Sequence, residues 1–172
     1  GCNVPFGATL GGGFVLDAAP QRRRRSDPSL LSFLDALSRR DPSTELELRI
    51  ARAGLEGVTR ARLAVETGLP DDLLEAALTA LAGRGAAIGA RGGPWLSPDA
   101  VSDLESRALA TLDAHHRARP LEPGMPRGAL RGKLPSNVDD GAFELVLARL
   151  AGLDAIAREG DLVRRTTHRP RE

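Results

Sequence analysis

The sequence predicts a mainly α-helical fold with small antiparallel β hairpins, laid out as two similar halves behind a short β segment. Three observations carry that expectation. Leu and Ala supply 27 and 26 of the 172 residues, against four Phe, one Trp and no Tyr, so the apolar content is aliphatic and helix-favouring. Asp27-Pro28, Asp41-Pro42 and Ser97-Pro98 each place a capping side chain and a first-turn proline ahead of apolar residues at helical spacing. The order of elements after Ser97 then repeats the order before it.

Length and composition narrow the classes. The chain is long enough for one or two domains with cores of their own. A single cysteine, Cys2, excludes a disulfide framework and a cysteine-built zinc site. No apolar run approaches the ~20 residues needed to span a bilayer. The formal charge of +1 is no global footprint for nucleic acid or an anionic surface. It is a cancellation: residues 1–40 carry +3, residues 41–97 carry −2, and residues 98–172 balance. Arg22, Arg23, Arg24 and Arg25 supply most of the opening surplus. The Gly-Cys start, without Met or a signal peptide's apolar stretch, reads as the beginning of a fragment.

Residues 4–17 mix turn chemistry with the apolar Phe14-Val15-Leu16, and three consecutive glycines make strand–turn–strand the better reading than helix. So short a β piece is marginal alone and belongs to a larger sheet. Residues 1–19 are therefore read as the edge of a barrel, and residues 20–27 as a basic linker.

Residues 28–97 form the first half. Leu30, Leu34 and Leu37 share one face of a first helix; Leu46, Ile50 and Ala53 share a face of a second, ended by Gly54 in a left-handed (αL) conformation. Thr59 opens a short third helix, with Ala61, Leu63 and Ala64 inside it and Gly68 closing it. Pro70-Asp71-Asp72 opens a fourth with a wide stripe of Leu73, Leu74, Ala77, Leu78 and Leu81. Ala86–Ala90 and Trp95-Leu96, around Gly92-Gly93-Pro94, predict a hairpin, with Trp95 packing onto the fourth helix.

Residues 98–170 follow the same grammar. A long helix to about Arg119 aligns Val101, Leu104, Ala108 and Leu112; a rigid loop, Pro120–Pro126, precedes a short helix around Leu130. Asn137 and Asp139 introduce a helix with Phe143, Leu147 and Leu150, and a hairpin uses Leu153–Ala157 and Leu162–Arg165, turning at Glu159-Gly160-Asp161. Helix, short helix, helix, two-stranded wing is the winged-helix (helix-turn-helix) order, here in tandem.

That fold serves DNA binding, RNA binding and scaffolding alike, so function rests on what the second helix of each helix-turn-helix presents. A groove-reading helix needs Lys, Arg, Asn or Gln near its N-terminal turn. These offer Asp71, Asp72 and Glu75 in the first half and Asp139, Asp140 and Glu144 in the second, softened by Asn137. Carboxylates suit a helix N-terminus but repel a polyphosphate.

Other chemistry is thin. Gly11-Gly12-Gly13 runs into Phe14 without the Lys of a phosphate-binding loop, and Gly132-Lys133 lacks the upstream glycine, so no nucleotide site is expected. His115-His116 beside Asp113 are adjacent on a helix, about 100° apart, which prevents a shared metal. They read as partly exposed histidines suited to the helix C-terminus. Cys2 and His168 form no recognisable nucleophile motif. The candidate RNA-phosphate contacts are Arg22, Arg23, Arg24, Arg25, Arg127, Arg131 and Lys133; a solvated linker is the plainer reading of the arginine run.

Two stretches carry a family resemblance. TLGGGFVLD, residues 9–17, followed by Pro20 and the arginine run, resembles the end of the third β-barrel domain of the bacterial selenocysteine-specific translation elongation factor, SelB. PLEPGMPRGALRGKLP, residues 120–135, resembles the loop and first helix-turn-helix helix of that factor's second winged-helix domain, with Gly160–Arg164 and His168-Arg169-Pro170 similar to its wing and exit. Pro123–Arg127 is the most specific part. Phe6-Gly7-Ala8 departs from the strand expected there, and Gly128-Ala129 replaces a common acidic pair.

The resemblance implies a cytoplasmic, monomeric piece of a translational GTPase that delivers selenocysteinyl-tRNA to the ribosome at recoded UGA codons. GTP, magnesium and the tRNA belong to N-terminal domains outside this chain, and mRNA-hairpin recognition chiefly to later winged helices. This segment would be a spacer with no catalysis of its own and weak or indirect RNA contact. The rival readings are a DNA-binding winged-helix transcription regulator and a pure protein-interaction scaffold.

Overall fold

The computed structural model describes residue 12 and residues 28–38, 41–89 and 92–168. The expected barrel edge, the linker with Arg22–Arg25, and the Arg169-Pro170 exit lie outside the described residues, apart from Gly12.

Helix α1 (Pro28–Ser38) packs on α2 (Pro42–Ala53), and the Arg52 guanidinium lies 4.7 Å from the Phe33 ring centre. Asp41 caps α2, accepting from the backbone N–H groups of Ser43 and Thr44. The chain leaves α2 through a 3-10 turn, Gly54–Glu56. Gly54 has the expected positive φ of 58°, but its ψ of −135° lies outside the αL basin, because a 3-10 turn continues the helix where a simple stop was expected. Helix α3 (Arg60–Thr67) starts on the Thr59 side-chain cap and stops at Gly68, which does sit in αL at φ 66° and ψ 13°.

Helix α4 (Asp71–Gly83) turns Leu74, Leu78 and Leu81 onto Leu46, Ile50, Val58 and Leu63. Leu73, expected in that stripe, is 55% exposed: the buried set is spaced i, i+4, i+7, and Leu73 stands one position off it. Strands β1 (Ile88–Gly89) and β2 (Trp95–Leu96) pair antiparallel, with Gly89 opposite Trp95. A Cβ on Gly89 would stand 2.6 Å from the Trp95 ring, so only glycine lets the indole lie across the hairpin and onto the first core.

The second half is built on α5 (Pro98–Ala118), capped by the Ser97 hydroxyl, with Val101, Leu104, Ala108 and Leu112 buried along one face. Helices α6 (Arg127–Lys133) and α7 (Asp140–Gly152) follow, α7 capped by Asp139. Met125–Pro126, expected as loop, forms strand β3, and β4 (Ile156–Glu159) and β5 (Leu162–Arg165) complete a sheet ordered β3-β5-β4. Two residues are too few to show a period, and the proline is tolerated because β3 is an edge. The expected strand from Leu153 begins only at Ile156: Leu153 is the C-cap of α7 and Asp154 takes a φ of 55° to reverse the chain.

The first half makes the matching edge contact with less backbone. Val58 and Trp95 exchange both backbone hydrogen bonds, at 2.9 and 2.8 Å. In both halves the segment before the short helix therefore pairs with the last strand of the hairpin. The two cores also meet. Leu96, from β2, is fully buried in the second core, and Leu55 and Ile88 pack against it.

Candidate nucleic-acid interface

Helices α4 and α7 both carry exposed carboxylates at their N-terminal turns. Asp71, Asp72 and Glu75 of α4 are exposed, as are Asp139 and Asp140 at the start of α7. These carboxylates hold the neighbouring arginines. Arg60 of α3 pairs with Asp71 at 2.9 Å and with Glu75 at 3.4 Å. Arg127 pairs with Glu144 at 2.7 Å, and Arg131 with Asp140 at 3.0 Å. Arg158, on β4, reaches the other oxygen of Glu144 at 3.4 Å.

Two of the sequence-derived phosphate contacts, Arg127 and Arg131, thus face carboxylates of α7. Arg131 is also a structural tie: it donates to the carbonyls of Pro135 and Val138, holding the turn between α6 and α7. Arg127 extends over the Phe143 ring, 6.0 Å from its centre. Lys133, at the end of α6, is exposed and pairs with no carboxylate among the described residues.

The N-terminus of α7 is obstructed as well as acidic. A Cβ on Gly141 would stand 2.7 Å from Cδ of Pro94, so the tip of the first hairpin rests against the first turn of α7. A helix that enters a major groove leads with that turn. Here the Gly141 side of that turn is covered by Pro94, while Asp139 and Asp140 stay exposed.

The histidines are arranged differently from the sequence expectation. His116 is only 8% exposed, a correction to its reading as a partly exposed helix-end residue. Its Nε2 accepts the backbone N–H of Arg165 at 3.2 Å, and its ring stacks on His168 with centres 3.8 Å apart and planes 11° from parallel. The Nδ1 of His116 is buried with no hydrogen-bond partner. Burial first, then the neighbouring His168 and His115, push its pKa below the ordinary 6.5. The His115 Nε2 stands 3.1 Å from Glu122, and Arg165 donates to Asp113 at 3.0 Å. This ties the end of β5 to the end of α5. No group of three or more metal-ligating side chains occurs among the described residues. Only the pattern of two histidines at a helix end hinted at this cluster; the third, His168, is distant in sequence.

Arg49 was also missed. It is 5% exposed on α2 and joins Glu45 at 2.8 Å to Glu66 of α3 at 3.2 Å. Its i, i+4 spacing to Glu45 was legible; its burial was not.

Two recesses flank the C-terminal end of α5. One, of 340 Å³, is lined by Asp113, His116, Arg117, Arg165, Thr167 and His168. The other, of 470 Å³, is lined by Ala110, Thr111, Ala114, His115, Met125 and Lys133.

Residues 109–164 match the model of the family described as elongation factor SelB, winged helix. The match runs from the middle of α5 through β5 and covers about a third of the chain. No curated protein matches the chain. The resemblance at residues 120–135 and at Gly160–Arg164 lies inside the matched stretch, and that at residues 9–17 lies outside it. The second half therefore resembles a SelB winged-helix domain, and the helices with small antiparallel sheets agree with it. No helix among the described residues is long and apolar enough to cross a membrane.

Proposed function

We propose that this chain is part of the C-terminal arm of a SelB-type elongation factor, with winged-helix domains at residues 28–97 and 98–170 acting as a spacer. Residues 1–19 are then the edge of the preceding barrel and residues 20–27 the basic linker. The spacer joins a GTP- and tRNA-binding body to the end that binds an mRNA hairpin, in the cytoplasm where translation proceeds. The chain itself binds no GTP, catalyses nothing and is monomeric. The family match supports the assignment to this factor. The observation that carries the spacer role is the charge at the two candidate reading helices: exposed carboxylates of α4 and α7 pair with Arg60, Arg127 and Arg131, and Pro94 seats against Gly141 of α7.

The same observation weighs against a duplex-DNA regulator, which needs a free, cationic helix N-terminus. A mobility-shift experiment at physiological salt tests the reading. The expected result is no sequence-dependent shift of duplex DNA and at most weak retention of an mRNA hairpin. Nanomolar binding to either, or GTP hydrolysis by the purified chain, overturns it.

A further inference from the structure

Arginine and lysine are plentiful in the second half, but nearly all are spent on neighbours. Residues 98–168 contain ten such side chains. Eight sit within 4.0 Å of a carboxylate: Arg107, Arg119, Arg127, Arg131, Arg149, Arg158, Arg164 and Arg165. The remaining two, Arg117 and Lys133, have no carboxylate partner among the described residues. An ion-paired arginine must give up its partner before it neutralises a phosphate, whereas an unpaired one only releases counterions.

These two cations share a side of the molecule. Ala110, Ala114 and Arg117 follow at i, i+4 and i+7, which places them along one exposed face of α5. Ala110 and Ala114 line the recess that holds Lys133, and Arg117 lines the neighbouring recess with Thr167, His168 and Asp113, whose carboxylate is paired with Arg165 at 3.0 Å. Alanines between the cations leave no side chain to hold a polyanion away from the surface. Thr167 adds a hydroxyl at the recess beside Arg117; the Thr111 hydroxyl is donated to the Arg107 carbonyl within α5.

We infer that the C-terminal face of α5, between Arg117 and Lys133, is an RNA-docking surface that takes two backbone phosphates, and that the helix-turn-helix face takes none. The contact is sequence-independent: no aromatic side chain of Phe, Tyr or Trp lines either recess, and phosphate contacts position a duplex or hairpin without reading it. The inference rests on the spacer reading and deepens it: the arm would lean on RNA through its side while the carboxylates of α4 and α7 stay paired with their own arginines.

The test is fluorescence anisotropy of a labelled RNA hairpin with the full 172-residue chain across a series of KCl concentrations. Arg117→Gln and Lys133→Gln are each expected to flatten the slope of log K against log salt by about 0.7–0.9, the share of one phosphate. Arg107→Gln and Arg127→Gln are expected to leave the slope unchanged. Circular dichroism melting of each variant separates lost contacts from lost folding. Absence of hairpin binding by the unmutated chain overturns the docking surface and leaves the spacer reading standing. A slope that falls for Arg127→Gln but not for Arg117→Gln or Lys133→Gln overturns both, because the helix-turn-helix face is then the RNA side. A slope indifferent to all four variants overturns the docking surface alone.

Discussion

Replacing Gly141 by alanine tests the seat of the first hairpin on α7. In a helix with nothing nearby, Gly→Ala is stabilising by about 0.8–1.0 kcal/mol. Gly128, in α6, is such a position, with no neighbouring atom within 4 Å of where a Cβ would stand. At Gly141 the new methyl group would meet Cδ of Pro94 at 2.7 Å and Asp139 Oδ1 at 2.9 Å. The Asp139 oxygen ends a flexible side chain and can yield, at some cost to the cap it forms with the Gly141 N–H at 2.7 Å. The buried proline ring cannot yield without moving the hairpin. Overpacking of this kind costs about 1–3 kcal/mol, so the propensity gain is cancelled or reversed and the net change spans from about zero to 2 kcal/mol destabilising. Gly128→Ala should therefore raise the melting temperature by about 2–4 °C while Gly141→Ala leaves it unchanged or lowers it.

A Pro94→Ala background removes Cγ and Cδ and should restore the benefit of alanine at Gly141, giving a coupling energy of about 1–2 kcal/mol in a double-mutant cycle. Urea unfolding of the four proteins measures it. Equal stabilisation at Gly128 and Gly141, with no coupling to Pro94, would refute the seating of the hairpin on α7.

Three further outcomes follow from single sites. Leu112→Ala should cost about 2–5 kcal/mol in urea unfolding, since Leu112 is fully buried in the second core; a loss under about 1 kcal/mol would contradict that packing. Asp139→Ala should cost about 1 kcal/mol through the lost α7 cap, measured the same way; no change would mean the cap is not formed. His116 should titrate by NMR below its ordinary 6.5, because burial and the neighbouring His168 and His115 oppose its charge more than Asp113 supports it. The unfolded state then binds more protons than the folded one, so this contribution is intact above pH 6.5 and is lost as pH falls from 6.5 toward the lowered folded value, at up to about 1.4 kcal/mol per pH unit. A His116 midpoint at or above 6.5 would contradict the buried, N–H-accepting ring.

The sequence by itself determined the local elements. Pro28, Asp41-Pro42, Thr59, Ser97-Pro98 and Asp139 mark helix starts through chemistry within three residues, and the buried aliphatic residues of α2, α4 and α5 recur at helical period. The stretch at residues 120–135 also carried the resemblance that the family match at residues 109–164 shares. Tertiary structure decided the rest. Strand β3 exists because β5 offers it an unpaired edge, and His116 is buried because His168 and Arg165, about fifty residues away in sequence, close over it. Which arginines remain free to meet a phosphate depends on carboxylates brought close only by folding: Glu144 lies 17 residues from Arg127, and Asp113 lies 52 from Arg165. Periodicity and capping act within a few residues and can be read along a chain. Charge pairing and burial act through space and are decided only when the chain has folded.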